Sequence, residues 1–373
     1  MKKVVVAPDS FKGTLSAVKV CEIIAAAVKS NFPDCEIVRI PIADGGEGTV
    51  DSFLACLPGE RIAAVVKNPF MEDIQAFYGM FGDTAVVEMA ACAGLPLVGN
   101  HKNPLIATTF GVGQLILNAA RHGAKKIIVG LGGSATNDGG CGAAAACGVK
   151  FLNHNGDEFI PAGGTLADIE AIDLSSLDNI LKNVEITVMC DIDNPMFGTT
   201  GAAYVFAPQK GADPDDVVLL DNGLRHLGQV IRQCFDMDVT EISGAGAAGA
   251  MGAGMIAFFG AQLRRGIETV LDVAEFDSHL SGVDFVFTGE GLFDSQSLRG
   301  KAVIGVTGRA HAAGIPVIVI AGGVTELPEA HELGICAVFS INRLPQDFSV
   351  SKHKSAENLY ETADNICRLI KIS

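Results

Sequence analysis

The sequence predicts an α/β fold of two domains: a discontinuous Rossmann-like domain built on a parallel sheet, with a mixed α/β domain inserted into it. Three observations support this prediction. At 373 residues the chain is long enough for two domains of ordinary size. Short runs rich in valine and isoleucine alternate with helical patterns along most of its length. One stretch in the first quarter of the chain interrupts this alternation.

The alternating apolar runs are predicted to be parallel strands. They are apolar at successive positions, which is typical of strands in a sheet that helices cover on both faces. Most of them end at glycine or at an acidic residue. In chain order the runs span residues 2–9, 36–46, 125–133, 184–191, 284–291, 315–323 and 335–341.

Helical patterns lie between these runs and have recognisable ends. Thr14 is a candidate N-cap for the first helix, and Gly123 is a candidate C-cap for the second. Pro214 follows Asp213 at the start of the third, where a missing backbone N–H costs nothing. The predicted helices span residues 15–30, 104–122 and 214–234.

Residues 61–90 interrupt the alternation of strands and helices, because three apolar runs follow one another with only turn residues between them. The turns fall at Asn68-Pro69 and Gly82-Asp83, so the stretch predicts a small antiparallel meander. A meander inside an alternating chain is typical of an inserted domain. We therefore expect residues 1–65 and 280–373 to form the Rossmann-like domain, residues 66–279 the insert, and the active site to lie in the cleft between them.

The composition limits the partners and the location. Asp and Glu outnumber Lys and Arg by 43 to 27, and the formal charge of −16 disfavours both nucleic acid and membrane surfaces as partners. The ten cysteines form no C-x-x-C pair and no secretory signal is evident, so we expect reduced thiols in a cytoplasmic protein. Residues 243–263 are uncharged and long enough to cross a bilayer, but their glycine and alanine content favours a buried, closely packed helix.

The glycine-rich stretch over residues 130–140 is the strongest candidate for ligand binding. Successive glycines let backbone N–H groups point into a cavity, and Ser134, Thr136 and Asn137 add side-chain donors. The Ala/Gly helix that is predicted to follow would favour an anion at its N-terminus. We expect phosphate or carboxylate to bind here. The alternative is a glycine-rich turn that only allows a strand and a helix to pack closely.

Two pairs of acidic residues follow predicted strands. Asp191 and Asp193 lie two apart, so in an extended chain both face the same way and could bind Mg²⁺ or take a proton from a hydroxyl. The alternative is a solvated turn. Glu290 and Asp294 precede Arg299 and Lys301, a set suited to a metal-bridged polyphosphate. The alternative there is an N-cap at Ser297 with ordinary helix charges.

Other motifs are weaker. Lys12 stands in a loop after the first strand, where it is either an anion ligand or a solvated surface lysine. A Walker P-loop is absent, because Gly300-Lys301 is followed by alanine, and a dinucleotide fingerprint fits residues 130–140 poorly. The eight histidines have no zinc-site spacing.

Taken together, the motifs resemble those of the type-1 glycerate kinase family, bacterial enzymes that phosphorylate D-glycerate at the 2-position. The order and the lengths agree over nearly the whole chain. Leu292 stands where members often have arginine. The matching segments are APDSFKGTLSA (7–17), ADGGEGT (43–49), GGSATNDGG (132–140), CDIDNP (190–195), QKG (209–211), GAGAAGAMGAG (244–254) and TGEGLFDSQSLRGKA (288–302).

The resemblance implies an ATP-dependent kinase that requires Mg²⁺ and produces 2-phospho-D-glycerate. Asp191 would orient or deprotonate the hydroxyl, with Asp193 in support and Lys12 also catalytic. Glu290 and Asp294 would bind the metal. Binding of ATP or phosphate would fall to Gly132, Gly133, Ser134, Thr136, Asn137, Asp138 and Lys301. Binding of glycerate would fall to Asp9, Ser10, Asp44 and Glu47.

Several alternatives stay open at this point. The kinase could instead produce 3-phosphoglycerate, and the Rossmann-like alternation is also compatible with an NAD-dependent hydroxyacid dehydrogenase. A regulator that binds a carboxylate without turnover is a third class, although no basic helix-turn-helix segment is evident. The sequence does not indicate the oligomeric state, or which loop holds ATP and which holds glycerate.

Overall fold

The structure is a computed structural model that describes residues 1–43, 45–295, 297, 302–325, 328–343 and 347–372. The strands are β1 Lys3–Val6, β2 Glu36–Arg39, β3 Glu60–Lys67, β4 Asp73–Phe81, β5 Thr84–Glu88, β6 Lys126–Gly130, β7 Lys150–Leu152, β8 Glu158–Phe159, β9 Ala171–Asp173, β10 Glu185–Met189, β11 Gln262–Arg264, β12 Phe285–Thr288, β13 Leu292–Phe293, β14 Val317–Ala321, β15 Gly323–Val324 and β16 Ile335–Ser340. The α-helices are α1 Ala17–Asn31, α2 Thr49–Cys56, α3 Ala90–Ala93, α4 Leu95–Val98, α5 Phe110–Arg121, α6 Cys141–Ala146, α7 Ala202–Phe206, α8 Pro214–Phe235, α9 Ala247–Phe259, α10 Gly266–Val273, α11 Phe276–His279, α12 Ala302–Ala312, α13 Phe348–Ser351 and α14 Ser355–Ile372.

The chain divides into two compact units, and each unit is built on its own main sheet. Unit 1 consists of Met1–Asp44, Asp51–Pro58 and Gly266–Ser373, and unit 2 consists of Gly45–Val50 and Gly59–Arg265. The α/β fold class is confirmed. The domain limits at residues 65 and 280 stay a prediction.

Unit 1 contains a five-stranded parallel sheet in the order β16-β14-β12-β1-β2. Numbered within this sheet along the chain, the order is 5-4-3-1-2, so the chain reverses direction across the sheet between β1 and β12. Buried Val6, Ile24, Phe287 and Ile320 belong to the core on one face of the sheet. Helices α1 and α14 are joined there by a 2.7 Å hydrogen bond from Asn31 Nδ2 to Asp364 Oδ1.

Unit 2 contains a six-stranded mixed sheet in the order β11-β10-β6-β5-β4-β3. Strands β5, β6, β10 and β11 are parallel, whereas β3, β4 and β5 pair antiparallel in succession. The predicted meander over residues 61–90 is therefore correct. A small antiparallel sheet in the order β8-β7-β9 completes the unit.

The helix ends agree only in part with the sequence prediction. The N-cap of α1 is Ser16, whose Oγ accepts from the Lys19 N–H at 3.3 Å, so the expectation that Thr14 is the cap was wrong. Asp213 does cap α8, since it accepts two backbone N–H groups at 2.9 Å. Helix α5 begins at Phe110, later than predicted, because the preceding residues form turns.

The glycine- and alanine-rich segment is buried, as predicted, but it is not one continuous helix. Residues 248–250 inside α9 all have left-handed φ values, between 55° and 70°. The backbone at Gly249 lies against a neighbouring loop: its carbonyl accepts from Gly139 N–H at 3.0 Å, and a Cβ there would lie 2.2 Å from Thr136 O. Over the described residues, no helix is both long and apolar enough to span a bilayer.

Two glycines on α12 offer a matched test of packing in unit 1. A Cβ on Gly305 would lie 2.3 Å from Cγ1 of buried Ile267, whereas a Cβ on Gly308 would meet nothing within 4 Å. Gly305→Ala should lower the free energy of unfolding by about 1–2 kcal/mol through overpacking. Gly308→Ala should raise it by about 0.5–1 kcal/mol, because alanine loses less backbone entropy in a helix. Urea denaturation monitors both, and a stabilising Gly305→Ala would contradict the packing at Ile267.

Candidate functional site

The residues that the sequence singles out fall into two groups, one in each unit. In unit 1 they lie where the chain reverses across the sheet, the place where ligands bind in sheets of this order. Asp9 and Ser10 follow β1, and Glu290 follows β12. The two loops adjoin: Asp9 N–H donates to Gly289 O at 2.8 Å.

The side chains of this first group differ in exposure. Asp9 and Ser10 are half-buried, and Ser10 N–H donates to Asp9 Oδ1 at 2.5 Å. Glu290 is 8% exposed, whereas Lys12 is exposed in a tight loop that is closed by a bridge between Phe11 and Leu15. The arrangement places two carboxylates and an exposed amine around the ends of two neighbouring strands.

The remaining residues predicted in unit 1 are only partly described. Asp294 Oδ1 accepts from Ser297 N–H at 3.2 Å, and Ser297 Oγ accepts from Asp294 N–H at 3.0 Å. Asp294 therefore closes a turn with Ser297. Asp44, Arg299 and Lys301 lie outside the described residues.

In unit 2 the second group lies at the carboxyl edge of the parallel strands. Gly130 at the end of β6 pairs with Glu88 at the end of β5 and with Met189 at the end of β10. Met189 in turn pairs with Arg264 at the end of β11. The loops that follow these strands therefore start side by side, and Asp191 lies in one of them.

The glycines of the loop after β6 are accounted for largely by close backbone packing. A Cβ on Gly130 would lie 2.2 Å from Gly45 O, and one on Gly132 would lie 2.6 Å from Gly46 Cα. Gly132 N–H donates to Gly45 O at 3.1 Å. Close packing, the alternative raised from the sequence, therefore explains Gly130 and Gly132. They pack against the loop at Gly45 and Gly46, whereas the sequence suggested packing against a helix. Gly133 has a φ of 75° and more space around its Cα.

Glu88 holds the loop that packs on these glycines, and sequence reasoning missed it. Its carboxylate is buried and accepts the backbone N–H of Val50 at 2.6 Å and that of Gly48 at 3.3 Å. Glu47, which lies in the chain between Gly46 and Gly48, is exposed. A single glutamate at the end of a strand carries no sequence signal that separates this anchoring role from an exposed one.

Asp138 is fully buried and surrounded by donors. Its Oδ2 accepts from Thr109 N–H at 2.7 Å, Thr109 Oγ1 at 2.9 Å and Gly142 N–H at 3.2 Å, and its Oδ1 accepts from Gly140 N–H at 3.1 Å. Burial raises the pKa of Asp138, and these hydrogen bonds oppose that rise. Both oxygens anchor the starts of α5 and α6, so the geometry favours a structural role for Asp138 over the expected contact with phosphate.

Lys210 is the second residue that sequence reasoning missed. Its side chain is 2% exposed, and Nζ donates to Ser134 Oγ at 2.8 Å and to Thr136 O at 2.7 Å. Burial lowers the pKa of Lys210 to about 7, while the charge of Asp138 acts in the opposite direction. The Gln-Lys-Gly segment belongs to the resemblance noted above, but a single lysine in a polar turn is indistinguishable from a surface residue by pattern alone.

The loop after β10 presents two exposed carboxylates. Asp193 Oδ1 accepts from Ser243 Oγ at 2.6 Å, and Asp191 lies two residues beyond the strand. Arg264 ends the neighbouring β11 and Arg265 follows it, and both side chains are exposed. This strand of three residues is too short to predict from periodicity. Within the described part of the chain, no three His, Cys, Asp or Glu side chains converge closely enough to bind a metal ion.

Known proteins match the chain over nearly its whole length. Residues 4–371 match the glycerate kinase family. The chain is 49% identical to a glycerate kinase of Bacillus cereus (100% of this chain, 98% of the relative) and 44% identical to the glycerate 2-kinase of Escherichia coli (98% and 95%). A solved structure from Salmonella typhimurium LT2, named for glycerate kinase 2, superposes with a TM-score of 0.90 at 40% identity, covering 100% of this chain and 98% of that one. The chain therefore belongs to the glycerate kinase family.

Proposed function

We propose that this protein transfers the γ-phosphoryl group of MgATP to the 2-hydroxyl of D-glycerate, producing 2-phospho-D-glycerate and ADP. The observation that carries the proposal is the 44% identity, over nearly the full length of both chains, to the Escherichia coli protein named glycerate 2-kinase. Membership of a kinase family favours phosphoryl transfer over the dehydrogenase and the non-catalytic regulator. Cytoplasmic location and the absence of nucleic-acid partners stay predictions from composition and charge.

In unit 2 we assign the chemical step to Asp191. Its exposed carboxylate lies just after β10, and the loop that starts beside it follows β6. Asp191 can therefore accept the proton of the hydroxyl while the hydroxyl oxygen bonds to phosphorus and the bond between phosphorus and ADP breaks. Asp193 would support it through the Ser243 contact. Because phosphoryl transfer needs little covalent chemistry from the protein, positioning should account for most of the catalysis.

The anion in unit 2 would bind at the loop after β6. We keep Gly133, Ser134, Thr136 and Asn137 as its candidate ligands, for ATP phosphates or for the transferred group. Gly132 is not kept, because its N–H donates to Gly45 O. We add Arg264 and Arg265 to these candidate ligands. Both are exposed cations at the carboxyl end of β11, which pairs with β10, and their charge would neutralise a phosphate.

In unit 1 we propose that Asp9, Ser10 and Lys12 contact glycerate, and that Glu290 and Asp294 face the Mg²⁺ that arrives with ATP. Such an ion needs only one or two carboxylates, because phosphate oxygens and water complete its shell, so a cluster of three side chains is not required. Glu47, which lies in unit 2, stays a candidate for glycerate. Asp44 and Lys301 keep their proposed roles in substrate and phosphate binding, outside the described residues.

The reaction is tested by measuring ADP release from MgATP with D-glycerate, with L-glycerate and without acceptor, followed by ³¹P NMR of the product. We expect turnover that depends on D-glycerate and a phosphorus signal coupled to the proton on C2. A signal coupled to the C3 protons would keep the kinase and overturn the regiochemistry. Folded protein that releases no acceptor-dependent ADP would contradict the proposed activity.

A further inference from the structure

Lys210 is a buried amine whose environment needs explanation. Among the described residues, no carboxylate lies within ion-pair distance of its ammonium group, which has the two hydrogen bonds to Ser134 and Thr136. An ammonium without a carboxylate partner is costly to bury, and the two hydrogen bonds to the loop after β6 offset part of that cost.

The backbone directs Lys210 towards the interior. Gly211, the next residue, has a φ of 100°, and a Cβ there would lie 2.7 Å from Lys102 O. On the outer side, Lys102 Nζ donates to Gln209 O at 3.1 Å. The short turn that carries Lys210 is therefore held on both sides, and the long side chain reaches the loop after β6 from a fixed base.

Both hydrogen-bond acceptors of Lys210 belong to that loop. By bonding Ser134 Oγ and Thr136 O, the ammonium bridges two residues that lie two apart and so restricts the conformation of the backbone between them. Residues 248–250 pack on the same loop, and the left-handed Ala248 and Ala250 cost about 1–2 kcal/mol each in backbone strain. Strain of this kind persists only where the surrounding structure demands it.

The loop held in this way contains unsatisfied polar atoms. Thr136 Oγ1 and both polar side-chain atoms of Asn137 are buried and have no hydrogen-bond partner among the described residues. Leaving such an atom unpaired costs about 1–3 kcal/mol, so these groups need a water molecule or a ligand to complete them. Thr136 is itself bonded to Lys210 through its carbonyl oxygen, and Asn137 is the next residue in the chain.

We propose that Lys210 is a positioning residue of the phosphoryl-transfer site, which fixes the loop of residues 134–137 so that Thr136 and Asn137 bond an anionic oxygen of a substrate. The inference rests on the proposed function for the identity of the ligand. The anionic oxygen belongs either to the carboxylate of D-glycerate or to a phosphate of ATP. Lys210 acts through the loop, because its own donors are directed to Ser134 and Thr136.

The test is Lys210→Met, which keeps the length of the buried stem and removes every donor. We expect kcat/KM to fall by about 10- to 100-fold, in line with the loss of a positioned hydrogen-bonding group. Lys182→Met is the matched control, because it makes the same substitution at an exposed lysine of unit 2 that does not contact the turn of Lys210 or the loop after β6. This control should keep wild-type activity.

Calorimetric titration with D-glycerate and, separately, with the magnesium complex of a non-hydrolysable ATP analogue that keeps all three phosphates distinguishes positioning from general destabilisation. We expect Lys210→Met to weaken one of the two ligands by tenfold or more and to leave the other within twofold, which identifies the anion that the loop binds. Unchanged affinity for both ligands would overturn the proposal, as would an equal loss for both.

A double-mutant cycle with Asn137→Ala adds an independent readout. If Lys210 acts through this loop, the double variant should be no more than two- to threefold worse in kcat/KM than the worse single variant, because each substitution already removes the same contact. Multiplicative losses would contradict the proposal.

Two further outcomes are informative. If Lys210→Met does not fold, Lys210→Gln replaces it in the test, because glutamine retains an amide donor, and this variant should still lose affinity for one ligand selectively. If neither variant folds, Lys210 has a role in stability alone. If the wild-type protein neither binds nor phosphorylates D-glycerate, the proposed function fails, while the titration with the ATP analogue still decides the role of Lys210.

Discussion

Asp191→Asn is expected to lower kcat for the phosphorylation of D-glycerate by about 10² or more, because the amide cannot accept the proton of the reacting hydroxyl. Asp191 is exposed in the loop after β10, so the substitution should leave the free energy of unfolding within about 0.5 kcal/mol of wild type. Steady-state kinetics with saturating MgATP and varied D-glycerate measures the effect, and binding of both ligands should be retained.

Asp193→Asn provides the comparison, since it removes the same charge two residues away. Asp193 is bonded to Ser243 Oγ, an interaction that asparagine can preserve, so we expect a loss of less than about tenfold. If Asp191→Asn kept near-wild-type turnover, Asp191 would have no role in catalysis. If Asp193→Asn were the more damaging variant, the roles of the two residues would be reversed.

Gly130→Ala is expected to destabilise unit 2 severely, by about 3 kcal/mol or more. The new Cβ would lie 2.2 Å from Gly45 O and 2.9 Å from Gly45 C, and these atoms are backbone that no side-chain rotation can move away. Gly130 is also paired on both sides within the sheet, so its own strand has little freedom to shift. Urea denaturation measures the loss.

Gly82→Ala, in the turn between β4 and β5 of the same sheet, is the control. Gly82 has a φ of 61°, and a Cβ added there would meet nothing within 4 Å, so alanine should cost only the backbone strain of about 1–2 kcal/mol. Equal losses for the two variants would mean that the close approach of Gly130 and Gly45 does not matter for stability.

The sequence predicts the strands of unit 1 well. The five strands of its main sheet lie within the predicted runs at residues 2–9, 36–46, 284–291, 315–323 and 335–341. Burial on both faces leaves a continuous local pattern of apolar residues, which can be read without knowledge of the partner strands. The order of the strands, with β12 beside β1, depends on contacts between segments almost 300 residues apart, and no local pattern contains that information.

The candidate site was predicted less completely than the fold. Asp9, Glu290 and Asp191 follow predicted strands, and the rule that ligands bind at carboxyl ends was enough to select them. Asp138 was selected by the same reasoning, yet it anchors helix starts. The sequence around Asp138 does not distinguish a phosphate ligand from a helix anchor, because the groups that donate hydrogen bonds to Asp138 come largely from the separate segment at Thr109.

By itself the sequence determined the fold class, the antiparallel meander and the candidate loops, because burial periodicity, turn residues and caps are local properties of the chain. Only the tertiary structure decided that Lys210 is buried against Thr136, that Glu88 holds the Gly45–Val50 segment, and that α9 is interrupted at Gly249. Each of these depends on the close approach of distant segments. Burial and hydrogen-bond partners are properties of that packing, and they decide the chemistry of a lysine or a carboxylate more than its place in the sequence does.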